Sequence, residues 1–246
     1  MLKFVTGNAK LSKDTAIFNI PAGWTCPQAK DCKAKVSPDT GKLIQFEGAK
    51  FRCYACNSEL ISPQARKMRW SNFNALTNKG TVEGIAMLIE NAIYQLKLDK
   101  IKKVRIHESG DFFSQRYFDA WIEVAKLFPN VIFYAYTKSL DFWVNRINDI
   151  PANLFLTASK GGKLDKIIVK HNLKFAEVVL SSVEADKKGL IIDKDDSLMY
   201  TQNSPFAILI HGTQPAGSDA MKAVMTLRKA GVMGYTRGAK GKGRKH

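Results

Sequence analysis

No apolar stretch of this chain approaches the ~18 residues that a membrane-spanning helix needs; the candidate run, residues 131–136, is far too short. The first fourteen residues, MLKFVTGNAKLSKD, contain no long apolar segment, so no secretion signal is expected. Cysteine is scarce, with four in 246 residues, which excludes a disulfide-stapled scaffold. Acidic residues are few beside basic ones, 22 against 38, for a formal net charge of +16. No internal repeat supports a solenoid, and no glycine fingerprint for a dinucleotide follows the first expected strand. There is no Gly-x-Ser-x-Gly elbow and no RNA-recognition, helix-turn-helix or zinc-finger pattern. The expected location is the cytoplasm, where a cluster of cysteines stays reduced or binds metal.

At 45% apolar residues the chain can bury a full core, and its length fits one α/β domain of about 250 residues. Composition divides it. Residues 21–80 carry four prolines, all the cysteines and little apolar periodicity. From residue 81 on, strand and helix patterns alternate: strands over residues 104–107, 131–136, 153–158, 177–180 and 206–210, and helices over 81–96, 114–128, 140–147, 164–170, 182–187 and 218–230. An early strand over residues 16–20 brings the strand count to about six. The strands are nearly all apolar, as a parallel sheet covered on both faces requires. The expected architecture is a parallel, partial TIM-type barrel over residues 1–236, with residues 21–80 as an insertion after the first strand. The final ten residues, RGAKGKGRKH, hold five Lys and Arg and no acid, so the charge without them is 16 − 5 = +11. They read as a disordered basic tail able to contact polyanions such as nucleic acid weakly.

Two features carry chemistry. Cys26-x5-Cys32 and Cys53-x2-Cys56 supply four thiolates, a complete set for zinc or for an iron–sulfur cluster, and spacing alone leaves the two metals open. If residues 53–60 are helical, Cys53 and Cys56 sit one turn apart and face one centre. The second feature is polar residues at strand C-termini, where a barrel places its active site. His107, Ser109 and Asp111 follow one strand, Lys138 the next, Ser159 the next and His211 the last. His107 suits a base, Ser109 a nucleophile and Lys138 an oxyanion partner. The competing reading makes His107 structural and Ser109 and Asp111 helix caps.

The blocks GWTCPQAKDCKAK (residues 23–35), FRCYACNSE (51–59), RIHESGDFFSQRYFDAW (105–121), FYAYTKSLDFW (133–143), LTASKGGK (156–163) and HGTQPAGSDA (211–220) resemble the phage gene product 88 family along nearly the whole chain. That family is similar to radical S-adenosylmethionine enzymes in its barrel and in a Cys-Tyr-Ala segment, here residues 53–55. The resemblance implies an iron–sulfur cluster, of 4Fe–4S type, at Cys26, Cys32 and Cys53, with zinc as the alternative. Cys56 lies outside the three-cysteine pattern and would close the cluster with a fourth thiolate. The spacing departs from the compact x3, x2 arrangement of radical enzymes. The function expected is a phage-type cluster protein hydrolysing a small ester-like substrate in the host cytoplasm. Two other readings are a radical S-adenosylmethionine enzyme and a nucleic-acid-associated protein of phage replication or transcription.

Overall fold

The computed structural model describes residues 1–232. Its centre is an eight-stranded sheet. In sheet order the strands are β1 (Phe4–Thr6), β2 (Thr15–Phe18), β5 (Lys103–Ile106), β6 (Ile132–Thr137), β7 (Leu154–Ser159), β8 (Phe175–Val179), β10 (Phe206–Leu209) and β9 (Ile191–Ile192). Only β1 pairs antiparallel; every other ladder is parallel. From β2 to β10 the order rises without reversal, so the sheet has no switch point of the dinucleotide-binding kind. The ladder is open. Its edges are β1 and the two-residue β9, and no closed barrel forms among the described residues, so the expected α/β class holds as a mostly parallel central sheet and no TIM barrel is shown. The six sequence-read strands all fall on sheet strands, but neither edge strand has enough apolar alternation to announce itself. The basic tail at 237–246 lies outside the described residues.

On one face, α3 (Val82–Tyr94) and α4 (Gln115–Leu127) bury Ile85, Ile89, Ile93, Phe118 and Trp121 against Phe18, Val104, Ile106 and Phe133. Both helices start where their sequence says they should: Thr81 and Ser114 accept N–H bonds from Gly84 and Tyr117. On the opposite face the short α8 (Leu198–Thr201) packs on β6 and β7, with Met199 and Tyr200 against Tyr134 and Phe155. α5 (Leu140–Val144) and α6 (Lys166–Lys170) flank β7, α7 (Ser182–Lys187) follows β8, and α9 (Asp219–Lys229) follows β10.

Residues 21–80 are more regular than their composition suggests. They contain a hairpin of β3 (Ala34–Val36) and β4 (Leu43–Gln45), then α1 (Tyr54–Ile61) and α2 (Pro63–Thr77). Ser62 caps α2 and Pro63 takes its first turn, where the missing N–H costs nothing. The buried face of α2 is Arg69, Asn72 and Leu76. Two polar residues in three explain why no apolar periodicity marks this helix. Asn72 bridges the start of β1 and the end of β2, exchanging bonds with Lys3 and donating to the Asn19 carbonyl at 2.9 Å.

The joint between this segment and the sheet is Glu59 on α1, fully buried. Its Oε1 accepts from the Ala22 N–H at 2.8 Å, from Arg69 Nη1 at 3.0 Å and from Ser109 Oγ at 3.4 Å. Glu59→Ala leaves the Arg69 guanidinium buried without its charge partner, so a loss of about 3–5 kcal/mol in denaturant unfolding is expected. Glu123→Ala, which opens only the exposed Lys126 pair, should stay within about 0.5 kcal/mol.

Candidate functional site

A cavity of about 490 Å³ opens where the C-terminal ends of the parallel strands meet the cysteine segments. Its walls include His107, Glu108, Gly110 and Asp111 after β5, Tyr136 and Lys138 from β6 and its end, Ser159 of β7, Ile208 to Gly212 from β10 and the loop after it, and Cys26, Cys32 and Cys53. Loop hydrogen bonds hold the cysteines there. Asp31 N donates to Gly161 O at 2.9 Å and Lys163 N to Gln28 O at 2.9 Å, tying the Cys26–Cys32 loop to the end of β7. Arg52 N donates to Gln214 Oε1 at 2.8 Å and Tyr54 Oη to Glu108 O at 2.6 Å, tying Cys53 to the ends of β10 and β5. Gly110 makes the close approach possible. At φ 91° a Cβ there would sit 2.4 Å from the Ile20 side chain and 2.7 Å from Thr25 Oγ1.

The four cysteines are free thiols and divide three to one. Cys26, Cys32 and Cys53 line the cavity and feel one another's charge. Burial pushes the Cys26 and Cys32 thiols up, against the pull of Lys138 in the case of Cys32. Cys56 is buried outside the cavity lining, its Sγ 3.0 Å from Ala34 O. Cys53 caps α1, and a hydrogen bond from the Cys56 thiol outweighs burial and lowers it, aided by the Ala55 and Cys56 N–H groups at the helix start. Among the described residues no group of three or more His, Cys, Asp or Glu stands close enough to hold a metal ion.

The strand-end residues also divide. Asp111 and Lys138 belong together: the Asp111 carboxylate accepts from Phe112 N at 2.7 Å, Thr137 Oγ1 at 2.7 Å and Lys138 N at 2.8 Å. Lys138 Nζ reaches Ser159 through its carbonyl at 3.0 Å and its Oγ at 2.5 Å. Ser109 instead donates to Ile20 O at 2.9 Å and is fully enclosed, a joint rather than a nucleophile. His107 follows β5 with φ 65°, which breaks the strand alternation and packs its ring against Phe112 and Tyr117. Its Nε2 shares a 2.7 Å hydrogen bond with Tyr117 Oη. Burial, with Arg105 nearby, drives its pKa well down and keeps it neutral. These contacts match the structural readings of His107 and Ser109. His211 lines the cavity edge-on to the Tyr54 ring at 4.5 Å, and burial lowers its pKa to about 4.

Sequence reasoning missed the far wall. Arg105 of β5, Asp196, Lys10 and Tyr136 all line the cavity. Lys10 and Tyr136 both bond to Asp196 Oδ1, the latter at 3.3 Å. Burial works against the Asp196 charge, but Arg105 and Lys10 outweigh it and hold its pKa below the usual carboxylate range. The only advance signal was an arginine inside an otherwise apolar strand.

The sequence pattern of the gene product 88 family matches residues 2–229. The chain belongs to the gene product 88 family. It is 30% identical over 138 residues to the gene 88 protein of Mycobacterium phage D29, covering 54% of this chain and 50% of that one. The gene 88 protein of Mycobacterium phage L5 is 29% identical over 138 residues, covering 54% of this chain and 51% of that one. The chain therefore spans about half the length of these curated relatives. No solved structure matches it. No helix among the described residues is long and apolar enough to cross a membrane.

Burial is the largest influence on Asp111 and raises its pKa from 3.8 to about 6, against the three donors and Lys138. The folded state thus holds this proton more tightly than the unfolded chain. The associated stability is complete below the unfolded value and is lost as pH rises through about 6. Between about pH 4 and pH 7, metal-free wild type should lose on the order of 3 kcal/mol relative to Asp111→Asn in denaturant unfolding. Parallel stability curves for the two proteins would refute a buried, upshifted carboxyl.

Proposed function

We propose that this gene product 88 protein is an iron–sulfur protein that hydrolyses a small ester-like substrate in the cavity at its strand ends. The observation that carries the reading is three cysteines from two separate segments opening onto one cavity with Asp111, Lys138 and Ser159. The chemistry of the donors suits the group: soft thiolates bind iron–sulfur clusters, whose ligands stand farther apart than those of the single zinc ion that is the alternative, and no three donors among the described residues are close enough for one ion. Cys26, Cys32 and Cys53 would hold the cluster, while Cys56 supports Cys53 by hydrogen bonding. Held by those three thiolates, a 4Fe–4S cluster would supply Lewis-acid chemistry in the cavity. The chain's own residues do the rest. Asp111, with its pKa near 6, takes a proton from an attacking water, and the Lys138 ammonium, steadied by Ser159, stabilises the oxyanion that develops. Leu11, Ile208 and Ile210 give the cavity apolar walls that thin out competing water. Reduced thiols of this kind suit the cytoplasm of a host cell.

A second reading, radical chemistry with S-adenosylmethionine, is favoured by the unreversed parallel strand order, which suits an incomplete barrel carrying its cysteines at the strand C-termini. The nucleic-acid reading rests on the +16 charge and the basic sequence at residues 237–246.

Anaerobically purified protein should contain iron and sulfide and absorb near about 400 nm. Cys26→Ala, Cys32→Ala and Cys53→Ala should each lose the iron, and Cys56→Ala should retain it in a more labile form. Full iron in Cys26→Ala, or stoichiometric zinc in a colourless wild type, sinks the cluster assignment. Short-chain esters tested without reductant should be hydrolysed, with kcat/KM rising through about pH 6 and falling ~10²-fold in Asp111→Asn. Inert esters together with reductant-dependent release of methionine from S-adenosylmethionine would replace the hydrolase with the radical enzyme.

A further inference from the structure

We propose that Arg105 forms an oxyanion subsite in this cavity, taking a carboxylate or phosphate group of the substrate. The inference rests on the reading of the cavity as a substrate site and adds the substrate's charge. Arg105 lies on the sheet face away from α3 and α4, is 4% exposed, and lines the cavity. Its guanidinium carbon sits 4.4 Å from the Tyr136 ring centre and 5.4 Å from that of Tyr134, so aromatic faces fix the orientation of the fork.

The donors are what lack an explanation. Nε and Nη1 of Arg105 are buried and have no hydrogen-bond acceptor. Asp196 Oδ2 approaches Nη1 only to 3.6 Å, an ion pair beyond hydrogen-bond reach. The same carboxylate already serves Lys10 and Tyr136. Arg69, the other buried arginine of the fold, shows what a structural guanidinium looks like. Both of its Nη atoms donate, to Ala55 O at 2.9 Å, Glu59 Oε1 at 3.0 Å and Ser58 Oγ at 3.3 Å, and only its Nε lacks an acceptor. A guanidinium held in place but left short of acceptors is prepared for a ligand that brings them. Glu108 does not compete for it, because its Oε1 accepts from Asn8 Nδ2 at 2.8 Å.

The test titrates the full chain, purified anaerobically, with acetate, succinate and inorganic phosphate, and follows the Arg105 Nε–H resonance by NMR. Either anion type should shift that resonance saturably. A response to the carboxylates alone identifies a carboxylic substrate, and a response to phosphate alone a phosphoester. Arg105→Lys keeps the charge and loses the fork, and should weaken binding about tenfold or more. Absence of any shift in the unaltered chain, or equal binding by Arg105→Lys, overturns the subsite. If the variant does not fold, the resonance of the unaltered chain decides alone. Iron assayed on the same samples keeps the two readings apart: oxyanion binding without iron refutes the cluster and leaves Arg105 standing, and iron without oxyanion binding does the reverse.

Discussion

The cysteine segments depend for their placement on the Glu59 carboxylate, fully buried, whose Oε1 accepts from three donors in three parts of the chain. Ala22 belongs to the segment leading into Cys26, Arg69 to α2, and Ser109 to the turn after β5. A buried charge is tolerated only when partnered, so the pairing with Arg69 and the bonds to Oε1 favour one relative placement of these three segments. That placement brings the cysteine segments over the strand ends. The segments that cover the cavity are fastened by this polar joint together with apolar contacts of Leu76, Phe73 and Phe51.

The cavity has two chemically distinct ends. One is built from thiols, with Asp111 and Lys138 beside them; the other from a guanidinium, a lysine, an aspartate and tyrosines. The sheet makes the separation. Arg105 and Tyr136 sit within the strands, whereas Asp111 and Lys138 sit in the loops after them. A ligand reaching both would be gripped by the rigid sheet and presented to the loops, an economical division between binding and chemistry.

Legibility in the sequence followed the physics of burial. Strands β5, β6, β7, β8 and β10 were readable because they are covered on both faces, and α3 and α4 because one apolar stripe of each meets the core. The helix α2 was not, since its inward face is Arg69 and Asn72 and its stability is tertiary. Openness of the sheet was unreadable, because closure is decided by strand tilt and register between residues far apart in sequence. Among site residues, Asp111, Lys138, Ser159 and His211 were placed at the cavity by the strand-end argument. His107 also lines it, with its ring held against Phe112 and Tyr117 after a left-handed φ that no periodicity reveals, whereas Ser109 is kept from it by its hydrogen bond to Ile20. Arg105 passed unnoticed because a single charge in a strand resembles a solvated edge position until the sheet is assembled.

The pairing of Arg52 with Gln214 spans 162 residues and closes the cavity beside Cys53. During synthesis the cysteines leave the ribosome long before the strand end that encloses them. At ~5–20 residues per second, the interval is on the order of ten seconds or more, during which the thiols have no walls around them. Contacts of such long range also form late once the chain is free. The nascent protein therefore passes through a stage with its sulfur ligands accessible and its pocket unmade, which is the stage at which a metal could be delivered from outside.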